Sequence, residues 1–219
     1  MTVRPDLVFY RVCRFLSVTV FCGLWFRASY EGRENVPASG PYVVAPVHRS
    51  NLDTLIVGGL SRRRLRFMGK DSLWKIRFFG ALFSALGAFP VHRGSADREA
   101  LRRSIEVLKG GEPLVMFPEG TRQSGPTVQP LFEGAAYMAC RAGVPIVPVG
   151  IGGSEAAMPK GSKMIRPVKV HVVVGRPIVP PAPTDGGRVP RAAVHDVTEQ
   201  LHAELQTLFD AARHRVGDP

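Results

Sequence analysis

Short apolar runs recur along this chain, and each stops at a cluster of polar residues before a helical pattern begins. Residues 42–47 (YVVAPV) give way to HRSNLD, residues 88–91 to His92-Arg93, and residues 113–117 (PLVMF) to PEGTR. Runs this short and this apolar suit strands buried on both faces of a parallel sheet. Further strands are expected over 65–68, 144–149 and 168–174, the last with Lys169 and His171 turned away from its valines. Between the strands, helices are expected over 52–60, 71–86 and 135–142, and over a stretch from an Asp97 N-cap to Gly110-Gly111. A proline- and glycine-rich loop over 180–190 precedes a last helix, 191–213, with Val194, Val197, Leu201, Leu205, Leu208 and Ala212 on one stripe. Strands alternating with helices define an α/β fold, a mostly parallel sheet flanked by helices.

The chain begins differently. Residues 15–26 (FLSVTVFCGLWF) are apolar and flanked by Arg11, Arg14 and Arg27. A helix of that length spans roughly 18 Å against a hydrocarbon core of ~30 Å, which disfavours a single transmembrane pass. Trp25-Phe26-Arg27 lacks the small residues of a cleavage site, so the segment is expected to be retained. Two roles fit it: an interfacial helix at a membrane surface, or a helix packed on the core. The division expected is an N-terminal membrane-associating segment, 1–30, and an α/β body, 31–219.

Lysine and arginine outnumber aspartate and glutamate 29 to 18, a net charge of +11, which points to anionic partners. Nucleic acid, acidic lipid and phosphorylated substrates all qualify. RNA-binding platforms interleave aromatic and basic residues on strands, whereas the aromatics here cluster in apolar helices, so no nucleic-acid partner is expected. Cys13, Cys22 and Cys140 are an odd, widely spaced set, read as reduced thiols of an intracellular chain. The six histidines are scattered, and no metal site is expected.

Three strand ends carry residues able to do chemistry. His48 and Asp53 flank a strand-to-helix junction, where open α/β sheets place ligands. Ser50 or Asn51 can cap the helix, and Asp53 in its first turn can accept from one imidazole nitrogen, leaving the other to take a proton from a hydroxyl. No G-x-S-x-G occurs, since Gly152-Gly153-Ser154-Glu155 ends in Ala156; the nucleophile is therefore expected to arrive with the substrate, as an alcohol. In PEGTR, Gly120 permits close backbone approach and Arg122 can grip a phosphate through paired hydrogen bonds. Glu119 is placed either to anchor Arg122 or to accept from a substrate hydroxyl. Arg93 follows the third strand. Singly, each has a plain structural explanation, a loop histidine or a solvated arginine; together they converge on one edge of the sheet.

Taken in order, these residues resemble the lysophospholipid and glycerophosphate acyltransferase family, and its bacterial 1-acylglycerol-3-phosphate branch most. The family's H-x-x-x-x-D block matches His48 and Asp53, its second block Gly87, Phe89 and Arg93, and F-P-E-G-T-R residues 117–122. Its fourth, a proline-containing apolar strand, resembles residues 144–149 (VPIVPV). The resemblance implies acyl transfer from acyl-CoA or acyl-carrier protein to a lysophospholipid hydroxyl, with no bound cofactor and no covalent acyl-enzyme. It makes His48 the general base and Asp53 its orienting partner. Lys70, Arg93, Glu119, Gly120, Thr121 and Arg122 would hold the glycerophosphate, and Val144, Pro145, Ile146, Val147 and Pro148 would lie by the thioester. It also implies membrane lipids as partners, with residence at the cytoplasmic face of the cell membrane, peripheral or monotopic, and Arg62, Arg63, Arg64, Arg66, Lys70, Lys75 and Arg77 attracting anionic headgroups. Three alternatives stay open: another acceptor such as glycerol-3-phosphate, a thioesterase-like hydrolase, and a non-catalytic basic module that binds membrane or nucleic acid.

Overall fold

A computed structural model describes residues 5–91, 98–162, 164–182 and 189–218. In chain order the helix α1 (Pro5–Leu16) runs into a π-type helix (Ser17–Trp25), followed by β1 (Ser29–Glu31) and β2 (Val43–Pro46). Next come α2 (Asp53–Gly58), β3 (Arg66–Lys70), α3 (Arg77–Ala85), β4 (Ala88–Val91), α4 (Arg98–Lys109) and β5 (Leu114–Val115). The chain closes with α5 (Gly134–Ala142), β6 (Ile146–Gly152), the single turn α6 (Ser154–Ala157), β7 (His171–Val174) and α7 (Arg191–Val216).

The seven strands form one sheet in the order β1-β7-β6-β2-β5-β3-β4. From β6 to β4 every pairing is parallel; β7 runs antiparallel to β6, and β1 follows β7 in parallel. This is the mostly parallel α/β sheet expected, and β2 and β6 are buried along their whole lengths as double-covered strands must be. The consequence for function lies in one adjacency: β2 and β5 are neighbours, with Val43 opposite Leu114 and Val44 opposite Val115. Whatever follows Pro46 and Val115 therefore meets at one edge of the sheet.

Several elements differ from the expected pattern, each for a local reason. The predicted helix over 71–86 is a 3-10 turn (Asp71–Trp74) and then α3, separated by Ile76 in extended conformation (φ −97°, ψ 112°). Trp74 folds back across that break: its Nε1 donates to Ser84 Oγ at 3.0 Å, and it lies so near Gly80 that a Cβ there would be 2.9 Å from its ring. The strand expected over 168–174 contributes only its second half to the ladder, and His171, expected to face outward, is buried. The cause is β1, too short to read in the sequence, which covers that edge and brings Ser29 Oγ to 2.7 Å from His171 Nδ1. Burial there pulls the imidazole pKa below its ordinary value. On α7 the buried stripe takes in Thr198 and Phe209 while Leu208 is half-buried. The Asp97 cap and the middle of the 180–190 loop lie outside the described residues.

The N-terminal helix starts at Pro5, so the apolar stretch is longer than residues 15–26. Val8–Trp25 is an 18-residue window long and apolar enough to cross a membrane, by length and composition, and only 12% of it is buried. Its inner side joins the body through Cys22 and Phe26 in the core and through Arg14 Nε, which donates to Ser61 O at 2.8 Å. Val8, Val12, Phe15, Leu16, Val20 and Leu24 remain exposed, with Leu24 at 76%.

Helix α7 is the principal cover of β6 and lies on bare backbone. A Cβ at Gly150 would sit 2.3 Å from the carbonyl of Leu208, and one at Gly152 2.3 Å from that of Ala212. Neither position has room for a methyl group without moving the helix. Gly150→Ala is expected to cost about 1–3 kcal/mol of stability through overpacking. Gly58→Ala, in α2 with nothing within 4 Å of the added Cβ, should be neutral or stabilising. Chemical denaturation of the two variants beside wild type checks the pair; equal midpoints for both would contradict this packing.

Candidate active site

Strand β2 ends at Pro46, and Val47 N–H still donates to Val149 O at 3.0 Å, so the ladder holds the chain up to the residue before His48. Beyond it the backbone turns, and the turn is built around Asp53. Its Oδ2 accepts from Arg49 N–H and Ser50 N–H, each at 2.7 Å, and lies 3.0 Å from His48 Nδ1. Neither Ser50 nor Asn51 caps α2, whose N-cap is Leu52 with no side-chain hydrogen bond; Asp53 reaches back from the first turn to hold the loop before the helix. Ser50 Oγ instead donates to Met158 O at 2.9 Å, tying the turn to the end of α6. Asp53 is fully buried, and its Oδ1 has no partner among the described residues.

An ionised carboxylate can only accept, so the proton of the His48–Asp53 contact sits on Nδ1 and Nε2 carries the lone pair. The ring is also held by its face. Phe117, the last residue before the second polar cluster, stacks on it with centroids 4.0 Å apart and planes 25° from parallel. Nε2 makes no hydrogen bond among the described residues, the state of a base waiting for a proton donor.

Behind the histidine lies an ion pair that no sequence pattern singled out. Arg49 is 1% exposed and Glu119 equally buried, and Arg49 Nη1 stands 2.8 Å from both carboxylate oxygens. Glu119 also accepts from the backbone N–H of His48 at 2.9 Å and of Gln129 at 3.2 Å. The remaining Arg49 donors reach the carbonyls of His48, Gly125 and Thr127, and its guanidinium lies 4.6 Å from the centroid of the Phe209 ring. Glu119 is thus neither the anchor of Arg122 nor open to a substrate hydroxyl: both its oxygens are occupied inside the protein. The signal available in the sequence was the arginine itself, at the second position of a motif that enters a buried turn.

The other predicted residues divide. Gly120 adopts φ +69° beneath the ring of Phe132, where a Cβ would come within 2.6 Å, so the close approach expected of it is to a side chain of this chain. Gly120 and Thr121 are exposed; Arg122 is half-buried and forms no ion pair or hydrogen bond with the described residues. Lys70 closes β3 on the same sheet edge, opposite Val91. Arg93, two residues beyond β4, lies outside the described residues. Val144 and Pro145 precede β6, and Ile146, Val147 and Pro148 open it opposite Val43, Val44 and Ala45 of β2, before the strand reaches His48. Their donors are used there: Val144 N–H bonds Ala139 O, Ile146 N–H bonds Ile178 O, and the two prolines have none. They wall the sheet beside β2 instead of facing the histidine.

Breaking the Arg49–Glu119 pair from one side leaves an uncompensated charge in a closed interior. Arg49→Met or Glu119→Gln should each cost about 3–5 kcal/mol, and the double substitution much less than their sum. A double-mutant cycle by denaturation measures this; strict additivity would refute the coupling.

Residues 27–152, more than half of the chain, match the family model described as acyltransferase. A curated 1-acyl-sn-glycerol-3-phosphate acyltransferase of Bacillus subtilis is 29% identical over 81% of this chain and 87% of its own length. A chloroplast protein of the same name from Brassica napus is 31% identical over 70% of this chain, which spans only 46% of that relative. Among solved structures, the 1-acyl-sn-glycerophosphate acyltransferase PlsC from Thermotoga maritima superposes with a TM-score of 0.75 at 26% identity, over 93% of this chain and 80% of that one. The family match runs from the end of the N-terminal helix through β6 and takes in both strand ends of the site, and the chain belongs to the acyltransferase family.

Proposed function

We propose that this chain transfers a fatty acyl group from an acyl thioester to the free hydroxyl of 1-acylglycerol-3-phosphate, giving phosphatidic acid. The observation that carries the reading is the imidazole of His48, fixed by Asp53 on one nitrogen and by Phe117 on its face, with Nε2 open. The names of the relatives from Bacillus subtilis and Brassica napus support the acceptor.

In the reaction His48 Nε2 takes the hydroxyl proton as the acceptor oxygen attacks the thioester carbonyl carbon. The tetrahedral adduct collapses with cleavage of the C–S bond, and the imidazolium returns its proton to the departing thiolate. Asp53 stays ionised and stabilises the imidazolium, the role of the acid in an oriented His–Asp pair. Arg122 and Lys70, on the same edge, supply cations for the acceptor phosphate. The donor is acyl-CoA or acyl-carrier protein. Work at the membrane surface, on its cytoplasmic side, fits the apolar face of the N-terminal helix and an acceptor that is itself a lipid.

An apolar cavity of about 160 Å³ opens beside α2, one turn from Asp53, lined by Val18, Leu55, Gly58, Phe67, Phe83 and Leu86. Its lining suits a hydrocarbon chain, and Phe83 of α3 and Leu86 just beyond that helix contribute to it.

The test is transfer from palmitoyl-CoA and oleoyl-CoA to 1-acylglycerol-3-phosphate in detergent micelles, following released thiol and lipid product together. His48→Ala should lower turnover by about 10²–10⁴-fold or more with the fold retained, the usual contribution of a general base. Turnover kept by the variant would remove His48 from the chemistry, and thiol released without diacyl product would mean hydrolysis. A second expectation concerns the cavity. Gly58→Leu should shift preference from palmitoyl towards shorter donors, read as product ratios in a mixed-donor assay; an unchanged ratio would detach this cavity from the acyl chain.

A further inference from the structure

The stretch Gly152-Gly153-Ser154-Glu155, which lacks the pattern of a nucleophile elbow, has another use in the fold. Strand β6 runs beside β2 with Val149 opposite Pro46, and so carries the chain past the turn that holds His48. Gly153 then bends it at φ +83°, where a Cβ would collide with the carbonyl of Lys169, and α6 begins at once. Ser154 is buried, and Glu155 beside it reaches the loop beyond the second polar cluster. Its Oε2 and Oε1 accept from Gly125 N–H at 3.1 and 3.3 Å. Among the described residues Glu155 makes no other hydrogen bond or ion pair.

That loop carries Arg122. No helix or strand forms over 121–132, and Arg122 has no partner of its own among the described residues, so the place of its guanidinium depends on how the backbone around it is held. Gln123 N–H donates to His48 O at 2.9 Å, and Arg49 Nε donates to Gly125 O at 3.3 Å. Gly125 is therefore gripped at both of its peptide groups, by the β2 turn at its carbonyl and by Glu155 at its amide, each through a charge-assisted bond. It adopts φ +84°, a conformation suited to glycine, and an added Cβ would have nothing within 4 Å, so hydrogen bonds and not packing fix this bend. Farther along, Gln206 of α7 accepts from Val128 N–H at 2.8 Å and donates to Pro126 O at 3.1 Å, which leaves residues 123–125 to His48, Arg49 and Glu155.

The other end of α6 is tied to the base. Met158 O accepts from Ser50 Oγ at 2.9 Å, in the turn that carries His48. One turn of helix thus touches both the turn of the imidazole and the loop of Arg122, and it sets the spacing between them. We propose that Glu155 is a positioning residue for the acceptor: it holds Gly125 so that Arg122 stands at a fixed distance from His48 Nε2 and meets the phosphate of 1-acylglycerol-3-phosphate while its hydroxyl lies at the imidazole. The proposal rests on the reaction assigned above and deepens it by naming the residue that places the phosphate contact.

Steady-state kinetics in detergent micelles, joined to hydrogen exchange of the full chain, tests it. Glu155→Ala should raise the KM for 1-acylglycerol-3-phosphate about tenfold, the usual worth of one hydrogen bond to a charged group, with kcat and the KM for palmitoyl-CoA within about twofold of wild type. Glu155→Gln keeps an oxygen for Gly125 N–H and should recover most of that loss. Amides over 123–127 should exchange faster in Glu155→Ala, while those of β2 keep their wild-type rates. A fall in kcat at unchanged acceptor KM, or an equal rise in both KM values, would overturn the proposal. So would Glu155→Gln behaving like Glu155→Ala, or loop exchange that does not change. A wild-type chain that makes no diacyl product would refute the reaction assigned above, and this proposal with it; an active wild type beside an indifferent Glu155→Ala would refute the proposal alone.

Discussion

The buried ion pair between Arg49 and Glu119 is the contact on which the candidate site depends. Taking both charges out of water costs several kcal/mol per ion, and a well-packed apolar pair of the same volume would often be as stable. What an apolar pair lacks is direction. Arg49 belongs to the turn after β2 and Glu119 to the turn after β5, and the pair fixes one against the other through multiple aligned donors. Glu119 then holds the backbone N–H of His48, and Phe117, two residues before it, holds the imidazole face. A single interaction of this kind sets the position, height and plane of the histidine at once. Arg49 extends the same control to residues 125–127, so the loop beyond the second polar cluster is organised by a residue of the first.

Sheet topology makes that economy possible. The chain passes from β2 outward to β3 and β4, then returns to place β5 between β2 and β3 before crossing to β6 on the other side of β2. The carboxyl ends of β2 and β5 therefore lie side by side where the direction of winding reverses, the place where parallel α/β sheets leave a crevice. Helix α7 closes the far face, and Phe209 on it packs against the Arg49 guanidinium. This is why Phe209 belongs to the buried stripe: that position meets the ion pair as well as the apolar core.

The sequence made the His48–Asp53 pair legible because both members lie within one turn and their chemistry is local. The strands β2 and β6 were equally plain, since burial on both faces leaves continuous apolar runs. Glu119 was visible as a residue and its partner was not: Arg49 is seventy positions away, and only the β2–β5 adjacency brings them together. With β5 reduced to Leu114 and Val115, nothing in its length announces which strand it lies beside. The same limit hid β1, whose three residues become a strand only because β7 offers them an edge, and with it the burial of His171. The break at Ile76 depends on where the Trp74 ring folds, a tertiary contact beyond any window of propensity. In each case the missing information is a long-range contact made by a short element.

The net charge of +11 acquires a different meaning once the arginines are sorted by what holds them. On α4, Arg102 and Arg103 pair with Glu99 and Glu106 along an exposed helix face, where such pairs contribute little to stability. Arg213 and Arg215 pair with Asp218 and Glu31, and Arg49 with Glu119. These arginines cancel against carboxylates and leave almost no field beyond their own neighbourhoods. Arg14, Arg33 and Arg63 are held by the carbonyls of Ser61, Gly59, Gly40 and Gly111, which fix the side chains but leave the charge intact. All three lie among the first 63 residues, around the helix whose outer surface is apolar. Part of the excess charge is thus fixed beside the exposed hydrocarbon surface. Fixed cations beside exposed phenylalanine, leucine and valine suit the membrane-surface setting proposed for the acceptor, which is itself a lipid.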